Sequence, residues 1–301
     1  MIPDGIILLD KKPGITSMAS DNFIKKVAGT RKVGHSGTLD PFATGLLPIF
    51  TGRALKVMRY TDGYDKAYRC TAVFGTRMST MDKDGEVTAS FSLTGSNAEQ
   101  KAILDAFDQI KNIKEQVPPS FSAKKINGQK AYELARQGIE VELKPHSVTI
   151  YNLVIHSMEF IDGAYEVDFE VDCSKGTYIR TICDDVGEMT GFHAYAKTLR
   201  RTKAGPFNIS NGFTEEAIKE MADRGDYSFV IPAEECLKGM PSVSLNKKQF
   251  DDVRLGRKIS ARDYMDFEEG IRFASYYEGR LTAIQYREGD ILRIERMLAV
   301  D

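Results

Sequence analysis

Tryptophan is absent from this 301-residue chain, so stacking against a flat ligand falls to tyrosine and phenylalanine. The four cysteines, Cys70, Cys173, Cys183 and Cys236, have no C-x-x-C spacing and read as buried reduced thiols of a cytoplasmic protein. Four histidines without paired spacing offer no metal site. No apolar run approaches the roughly 18 residues that a membrane helix needs. The N-terminus, MIPDGIILLDKKPG, has no basic segment ahead of its short apolar patch and reads as a strand, not a signal peptide. Internal repeats and low-complexity tracts are missing as well. What is present suits a soluble protein with a real core: 42% hydrophobic and 28% charged residues. The length fits one large domain plus a small one, or two of equal size.

A net charge of −2 is not that of an ordinary nucleic-acid binder, but the average conceals segregation. Residues 24–59 carry Lys25, Lys26, Arg31, Lys32, Arg53, Lys56 and Arg59 against a single acid, Asp40. Residues 194–207 carry Lys197, Arg200, Arg201 and Lys203 with no acid. The acids gather elsewhere, at Glu166, Asp168, Glu170 and Asp172. Such separation builds a local positive field, although two solvated basic faces would look the same.

Residues 5–9 read as a buried strand and 17–28 as a helix with Ser17 at its N-cap. From Gly29 to Gly52 the chain is rich in Gly, Pro, Ser and Thr and lacks helical or strand periodicity over most of its length. A connection that long inside a compact domain is usually functional. Residues 53–60 look helical, 66–75 form a strand, and Asp82–Gly85 a turn. A helix over 96–110 has a capping box, Ser96 with Glu99, and an apolar face of Ile103, Leu104, Phe107 and Ile110. A shorter helix spans 129–137 up to Gly138. Residues 164–172 alternate strictly, with Tyr165, Val167, Phe169 and Val171 on one face and four acids on a solvated one. Helices follow at 177–189 and, entered at Thr214, at 214–224. After Pro232 the composition changes, and 241–301 reads as a helix (246–254) and short strands in a compact β-rich appendage. Strands and helices out of regular alternation favour an α+β fold with an antiparallel-rich sheet.

The long connection contains GHSGTLDPFATGLLP, from Gly34 to Pro48. Gly34 and Gly37 allow close backbone approach to a ligand. Pro41 restricts Asp40 to extended geometry, and the surrounding cations favour its ionised form. A fixed carboxylate in a basic loop can serve as nucleophile or base, yet a turn aspartate before proline is the commoner case on these residues alone.

This segment resembles the catalytic motif of the tRNA pseudouridine-55 synthases, the bacterial TruB family, at every fixed position of G-H-x-G-T-L-D-P-x-A-x-G-x-L-P. Further blocks follow in register: Lys12-Pro13-Gly14 in slightly altered form, Lys66-Ala67-Tyr68, Asp82 to Gly85, Pro118 to Arg136, Cys173 to Arg180, and Leu199-Arg200-Arg201-Thr202. The resemblance is strong over about residues 5–207. It implies an α+β pseudouridine synthase domain, with a large mixed and mainly antiparallel sheet, over 1–235. A small β-rich PUA-like RNA-binding domain over 240–301 follows by position and strand content.

The resemblance also implies chemistry. One uridine in the tRNA T-loop is extruded, its C1′–N1 bond is cut, the uracil turns, and C1′ rejoins at C5. No metal and no cofactor are required. Asp40 takes the place of the catalytic carboxylate, Tyr68 that of the tyrosine stacking on the flipped base, and Arg180 that of the arginine paired with the aspartate. Such a pair would depress the aspartate pKa; a phosphate-binding arginine is the alternative. His35 matches the wedge that fills the vacated space. Leu199 would wall the uracil pocket, or serve as plain core. Lys12 and Pro13 would shape its floor. Lys25, Lys26, Arg31, Lys32, Arg53, Lys56, Arg59, Lys124, Lys125, Arg200 and Arg201 would track phosphates of the RNA. The picture is a cytoplasmic, monomeric enzyme acting on the tRNA T-stem-loop, away from membranes.

His146 departs from the arginine common at its position. Rival readings are a guide-RNA-directed synthase of the dyskerin type, which shares H-S-G-T-L-D-P, and a non-catalytic tRNA-binding or folding module. The Pro118–Arg136 block and the lack of a Lys-rich tail speak against the first, an intact Asp40, Tyr68 and Arg180 against the second. A metal hydrolase using Asp40, Asp82 and Asp84 lacks suitably spaced histidines.

Overall fold

The computed structural model describes residues 2–121, 125–126, 129–130, 134, 139, 143–257, 259–264 and 266–298. One large sheet organises the α+β fold. Its main strands are β1 (Gly5–Lys11), β2 (Val33–His35), β3 (Thr44–Thr51), β4 (Lys66–Phe74), β5 (Ile150–Ile161), β6 (Ala164–Cys173), β7 (Ala194–Ala204) and β8 (Val230–Ile231), and the short Phe207–Asn208 strand pairs with the end of β7. The spatial order is β5–β6–β4–β7–β3–β1–β8, with β2 also paired to β3. These pairings are antiparallel except β7 with β3, where Arg200 lies opposite Thr44 and Arg201 opposite Gly45.

β1 and β3 read as unbroken apolar runs because both sheet faces are covered there. Ile7, Leu9, Leu47 and Ile49 enter one core, while Ile6, Leu8, Leu46 and Phe50 enter the other. This corrects the expectation that Gly29–Gly52 is largely without regular structure: β2 and all of β3 fall within it. A doubly buried strand shows no alternation to detect, and Pro48 masks it further. The proline is tolerated because it sits at a break, past the β7 pairing at Thr44 and Gly45 and before the β2 pairing at Ile49. Its carbonyl accepts from the Ser36 amide at 3.0 Å.

β6 alternates as expected, with Tyr165, Val167, Phe169 and Val171 fully buried. Its outer face is less bare than the sequence suggests. Lys197 pairs with Glu166, and Arg69 with Asp168 at 2.6 Å. These cross-strand pairs add little stability each, but they neutralise two of the four acids.

Among the described residues the α-helices are α1 (Ser17–Ala28), α2 (Asn97–Ile110), α3 (Ile179–Thr190), α4 (Glu215–Asp223) and α5 (Lys247–Arg254). Thr16, not Ser17, caps α1, accepting from the Ala19 amide at 3.1 Å. Ser17 is buried and engaged elsewhere. The Ser96–Glu99 capping box forms, but Leu104 is 47% exposed and Ala106 takes the core position instead. Residues 52–61 form two short 3₁₀ turns, Gly52–Lys56 and Met58–Thr61. The helix expected over 129–137 lies mostly outside the described residues, and its first two, Gln129–Lys130, pair as a strand with Lys125–Ile126.

The C-terminal sheet comprises β9 (Ser242–Ser244), β10 (Ile259–Ser260), β11 (Arg272–Tyr277), β12 (Arg280–Glu288) and β13 (Ile291–Met297), in the order β9–β11–β12–β13–β10. Ala274, Leu281, Ile284 and Leu298 join the core cluster that holds Ile6, Leu8, Leu46 and Phe50. The second face of the large sheet is therefore covered in part by this appendage.

Candidate active site

Asp40 sits in the connection from β2 to β3, held from three sides. The Ser17 hydroxyl donates to the Leu39 carbonyl at 3.0 Å and accepts from the Leu39 amide at 2.9 Å. The Gly14 amide donates to the Pro41 carbonyl at 2.8 Å. Arg201, only 1% exposed, donates to the carbonyls of Leu46 and Gly37, each at 2.7 Å. Glycine is required at the two crossings beside it. Gly37 (φ 72°) and Gly45 (φ 96°) are left-handed, and a Cβ on Gly45 would meet the Arg201 carbonyl oxygen at 2.3 Å.

The loop opens onto a cavity of about 310 Å³ lined by Gly37, Thr38, Leu39 and Asp40, by Lys66 and Tyr68 of β4, by the turn from Gly176 into α3 including Arg180, and by Leu199 and Arg201 of β7. This volume is in the range of small-ligand sites. Asp40, Tyr68, Arg180 and Leu199, singled out on sequence from four distant segments, thus share one cavity.

Arg180, in the first turn of α3, is 3% exposed and spends every face of its guanidinium. Its Nε is 2.9 Å from Asp40 Oδ2, and its Nη1 is 3.4 Å from Asp82 Oδ2. Nη1 also donates to the Thr80 carbonyl at 2.8 Å and Nη2 to that of Phe121 at 2.9 Å. A cation so fastened holds the Asp40 carboxylate in one orientation. Asp82 is buried, and desolvation raises its pKa despite a 2.6 Å hydrogen bond from Thr80 and the nearby Arg180.

Tyr68 is 8% exposed and directly opposite Arg201 across the β4–β7 ladder. Burial raises its pKa, offset in part by Arg201. Lys66 is pulled down by burial and then by Arg201, and donates to the Tyr64 carbonyl at 2.8 Å. Gly176 is braced by His146, whose Nε2–H donates to its carbonyl at 2.9 Å.

Beneath the Asp40 loop lies Lys11, fully buried. Its ammonium has three N–H groups and three carbonyl acceptors: Ile15 at 2.8 Å, Lys12 at 3.0 Å and Pro41 at 3.2 Å. Burial lowers its pKa to about 8, against the raising influence of Asp40 and Glu215.

The sequence reading named Lys12 here, and the structure corrects it. Lys12 is exposed and reaches Glu215 at 2.8 Å. Lys12 and Pro13 line a separate cavity of about 170 Å³ with Asp10, Arg200 and Glu215. Strand parity would have found the right residue: Ile7, Leu9 and Lys11 point the same way from β1. Arg201 is corrected likewise. Buried as it is, it reaches no solvent-side phosphate, and alternation from Leu199 already aims it into the site. On sequence, Lys66 belongs only to a motif, and Asp82 to a motif and to the metal-hydrolase alternative.

His35 lies at the rim, its Nε2 3.2 Å from Thr38 Oγ1. Lys25, Lys26, Arg31 and Lys32 cluster at the C-terminal end of α1 and just beyond it. Among the described residues, the head groups of Lys26, Arg31 and Lys32 have no partner. Other cations of the expected set are engaged: Arg53 with Asp4 at 2.9 Å, Arg59 with Glu295 at 3.5 Å, Arg200 with Asp10 at 2.6 Å, and Lys56 with the Met297 carbonyl at 3.0 Å. Lys124 lies outside the described residues, and so does the Lys125 side chain. Among the described residues no group of three or more His, Cys, Asp or Glu is placed to hold a metal ion, and no helix is long and apolar enough to cross a membrane.

Residues 25–179 match the model of the TruB family pseudouridylate synthase N-terminal domain, and residues 180–238 that of the tRNA pseudouridylate synthase B C-terminal domain. A tRNA pseudouridine synthase B from Streptococcus agalactiae is 35% identical over 98% of this chain and 99% of its own length. One from Vibrio vulnificus is 40% identical over 85% of this chain and 82% of its own. Among solved structures, an H/ACA RNP bound to a substrate RNA containing 2′-deoxyuridine aligns with a TM-score of 0.70 at 21% identity, over 98% of this chain and 85% of that one. A Cbf5-Nop10-Gar1 complex aligns at 0.71 and 22%, over 98% and 85%; at such identities the likeness shows the fold. The chain belongs to the TruB family of pseudouridylate synthases.

Proposed function

We propose that this protein isomerises uridine to pseudouridine in tRNA, at position 55 of the T-loop, with Asp40 as the reacting carboxylate. The observation that carries the reading is convergence: a carboxylate 36% exposed, pinned by the buried Arg180, faces a cavity walled by Tyr68 and Leu199. The reaction breaks C1′–N1 and forms C1′–C5, with the C5 proton released and N1 protonated, so atoms balance with no redox partner and no group from outside. Arg180 leaves one carboxylate edge free for the nucleotide. Tyr68 and Leu199 offer a stacking face and an apolar wall for an extruded uracil. His35 at the rim fills the space that the base leaves. Lys25, Lys26, Arg31 and Lys32 follow the phosphates.

Residues 240–301 act as a PUA-like extension of the RNA footprint beside the catalytic domain, 1–235. The enzyme works as a cytoplasmic monomer without cofactor or metal. Relatives at 35–40% identity carrying the name tRNA pseudouridine synthase B favour a stand-alone enzyme over a guide-directed one. The test is Asp40→Asn. The wild type should form pseudouridine in an isolated T-stem-loop without guide RNA, and the variant should bind that RNA but leave it unmodified. Substantial turnover by the variant sinks the assignment, and a need for guide RNA and partner proteins returns the dyskerin-type reading.

A further inference from the structure

Along α1 the buried stripe runs Ser17, Ser20, Asp21, Ile24 and Ala28. Asp21 occupies a place where an apolar residue would serve the core better. It is 3% exposed, its Oδ1 is buried without a hydrogen-bond partner, and its Oδ2 lies 2.9 Å from His35 Nδ1. A buried carboxylate that leaves one oxygen unsatisfied is costly, and its single hydrogen bond points to what it is for.

A carboxylate only accepts, so the proton of that hydrogen bond sits on His35 Nδ1. In the neutral ring Nε2 then has a lone pair, and the Thr38 hydroxyl, 3.2 Å away, donates to it. Thr38 lines the Asp40 cavity. The chain of contacts therefore runs from the buried stripe of α1, through the imidazole, to the edge of the site. It leaves the His35 side chain 14% exposed, with both ring nitrogens engaged.

We propose that Asp21 is a positioning residue, which fixes the tautomer and orientation of His35 at the cavity rim so that RNA meets a wedge already in place. The proposal rests on the tRNA reading of the site for its kinetic consequence, but not for its structural one. A histidine that must be ordered during binding gives up affinity that a preset one keeps, and the loss falls on KM rather than kcat.

Two substitutions separate positioning from folding. Asp21→Leu removes the acceptor and the unsatisfied oxygen together, so the thermal midpoint should hold or rise. Asp21→Asn keeps a carbonyl oxygen that can accept from Nδ1–H. In ¹⁵N spectra of the free protein, His35 should be the Nδ1–H tautomer in the wild type and in Asp21→Asn, and a mixture in Asp21→Leu. On a T-stem-loop, Asp21→Leu should raise KM roughly three- to tenfold, the cost of ordering one side chain, with kcat within about twofold, and Asp21→Asn should restore KM. A wild-type His35 carrying its proton on Nε2 overturns the proposal, as does a KM unchanged in Asp21→Leu or an Asp21→Asn variant no better than it. If the wild type makes no pseudouridine, the functional reading fails, and the tautomer measurement still decides whether Asp21 sets the ring.

Discussion

Replacing Lys11 by methionine keeps most of the length of the apolar stem and removes a titrating group from beneath the Asp40 loop. In the folded protein Lys11 loses its proton near pH 8, in the unfolded chain near 10.5. Between those values the unfolded chain binds more protons, so wild-type stability rises with pH across this window. The burden of holding a buried ammonium is fully present below pH 8 and is relieved by pH 10.5. At about 1.4 kcal/mol per pH unit the full relief is roughly 3 kcal/mol, and about 2 kcal/mol remains after discounting for the open cavities nearby. Methionine has no proton to lose. Urea unfolding of both proteins from pH 7 to 10.5 should show the wild type gaining about 2–3 kcal/mol on Lys11→Met. Tyrosines and buried thiols titrate in both proteins and cancel in the difference. A flat or falling difference would show that the Lys11 amine is not desolvated, and the account of it as a buried anchor of the Asp40–Pro41 loop would fail.

Arg180→Met should cost roughly 3–5 kcal/mol of stability, because it strands Asp82 in the interior without its cation; a loss under about 1 kcal/mol in denaturant titrations would contradict the burial of that pair. Lys32→Glu should weaken T-stem-loop binding and lower the slope of log affinity against log salt by about one, and an unchanged slope removes this residue from the RNA footprint. Pseudouridine formation should survive exhaustive chelation. Loss of activity restored by one particular divalent ion would point to a different mechanism.

Local pattern made some elements legible and hid others for physical reasons. β6 announces itself because one face is buried and the other is not, and α2 because its capping box is a local hydrogen-bond pattern. β3 is silent because both of its faces are buried, so Leu46 and Leu47 enter different cores with no polar residue between them. Leu104 misled because the 3.6-residue period leaves the edge of an apolar stripe undefined, and the small Ala106 packs where a larger residue was expected. Within the site, motif resemblance found Asp40, Tyr68, Arg180 and Leu199. It misplaced the lysine by one residue, since Lys11 and Lys12 differ only in which side of β1 they leave from. Asp21 was invisible: nothing in the sequence links a helix aspartate to a histidine 14 positions later.

The single parallel seam of the sheet has a further bearing on how the chain becomes active. β3 and β7 meet there, and the Arg201 guanidinium crosses it to the Leu46 carbonyl, 155 positions away in sequence. During synthesis at about 5–20 residues per second, β3 leaves the ribosome roughly 8–30 s before its partner exists. Through that interval its Thr44–Leu46 end, which β2 does not cover, stands open to wrong pairings. Asp40 belongs to the early half, while Arg180, Leu199 and Arg201 belong to the late one. Neither half alone forms the candidate site. The cavity that gathers Asp40, Tyr68, Arg180 and Leu199 thus exists only once the seam has closed.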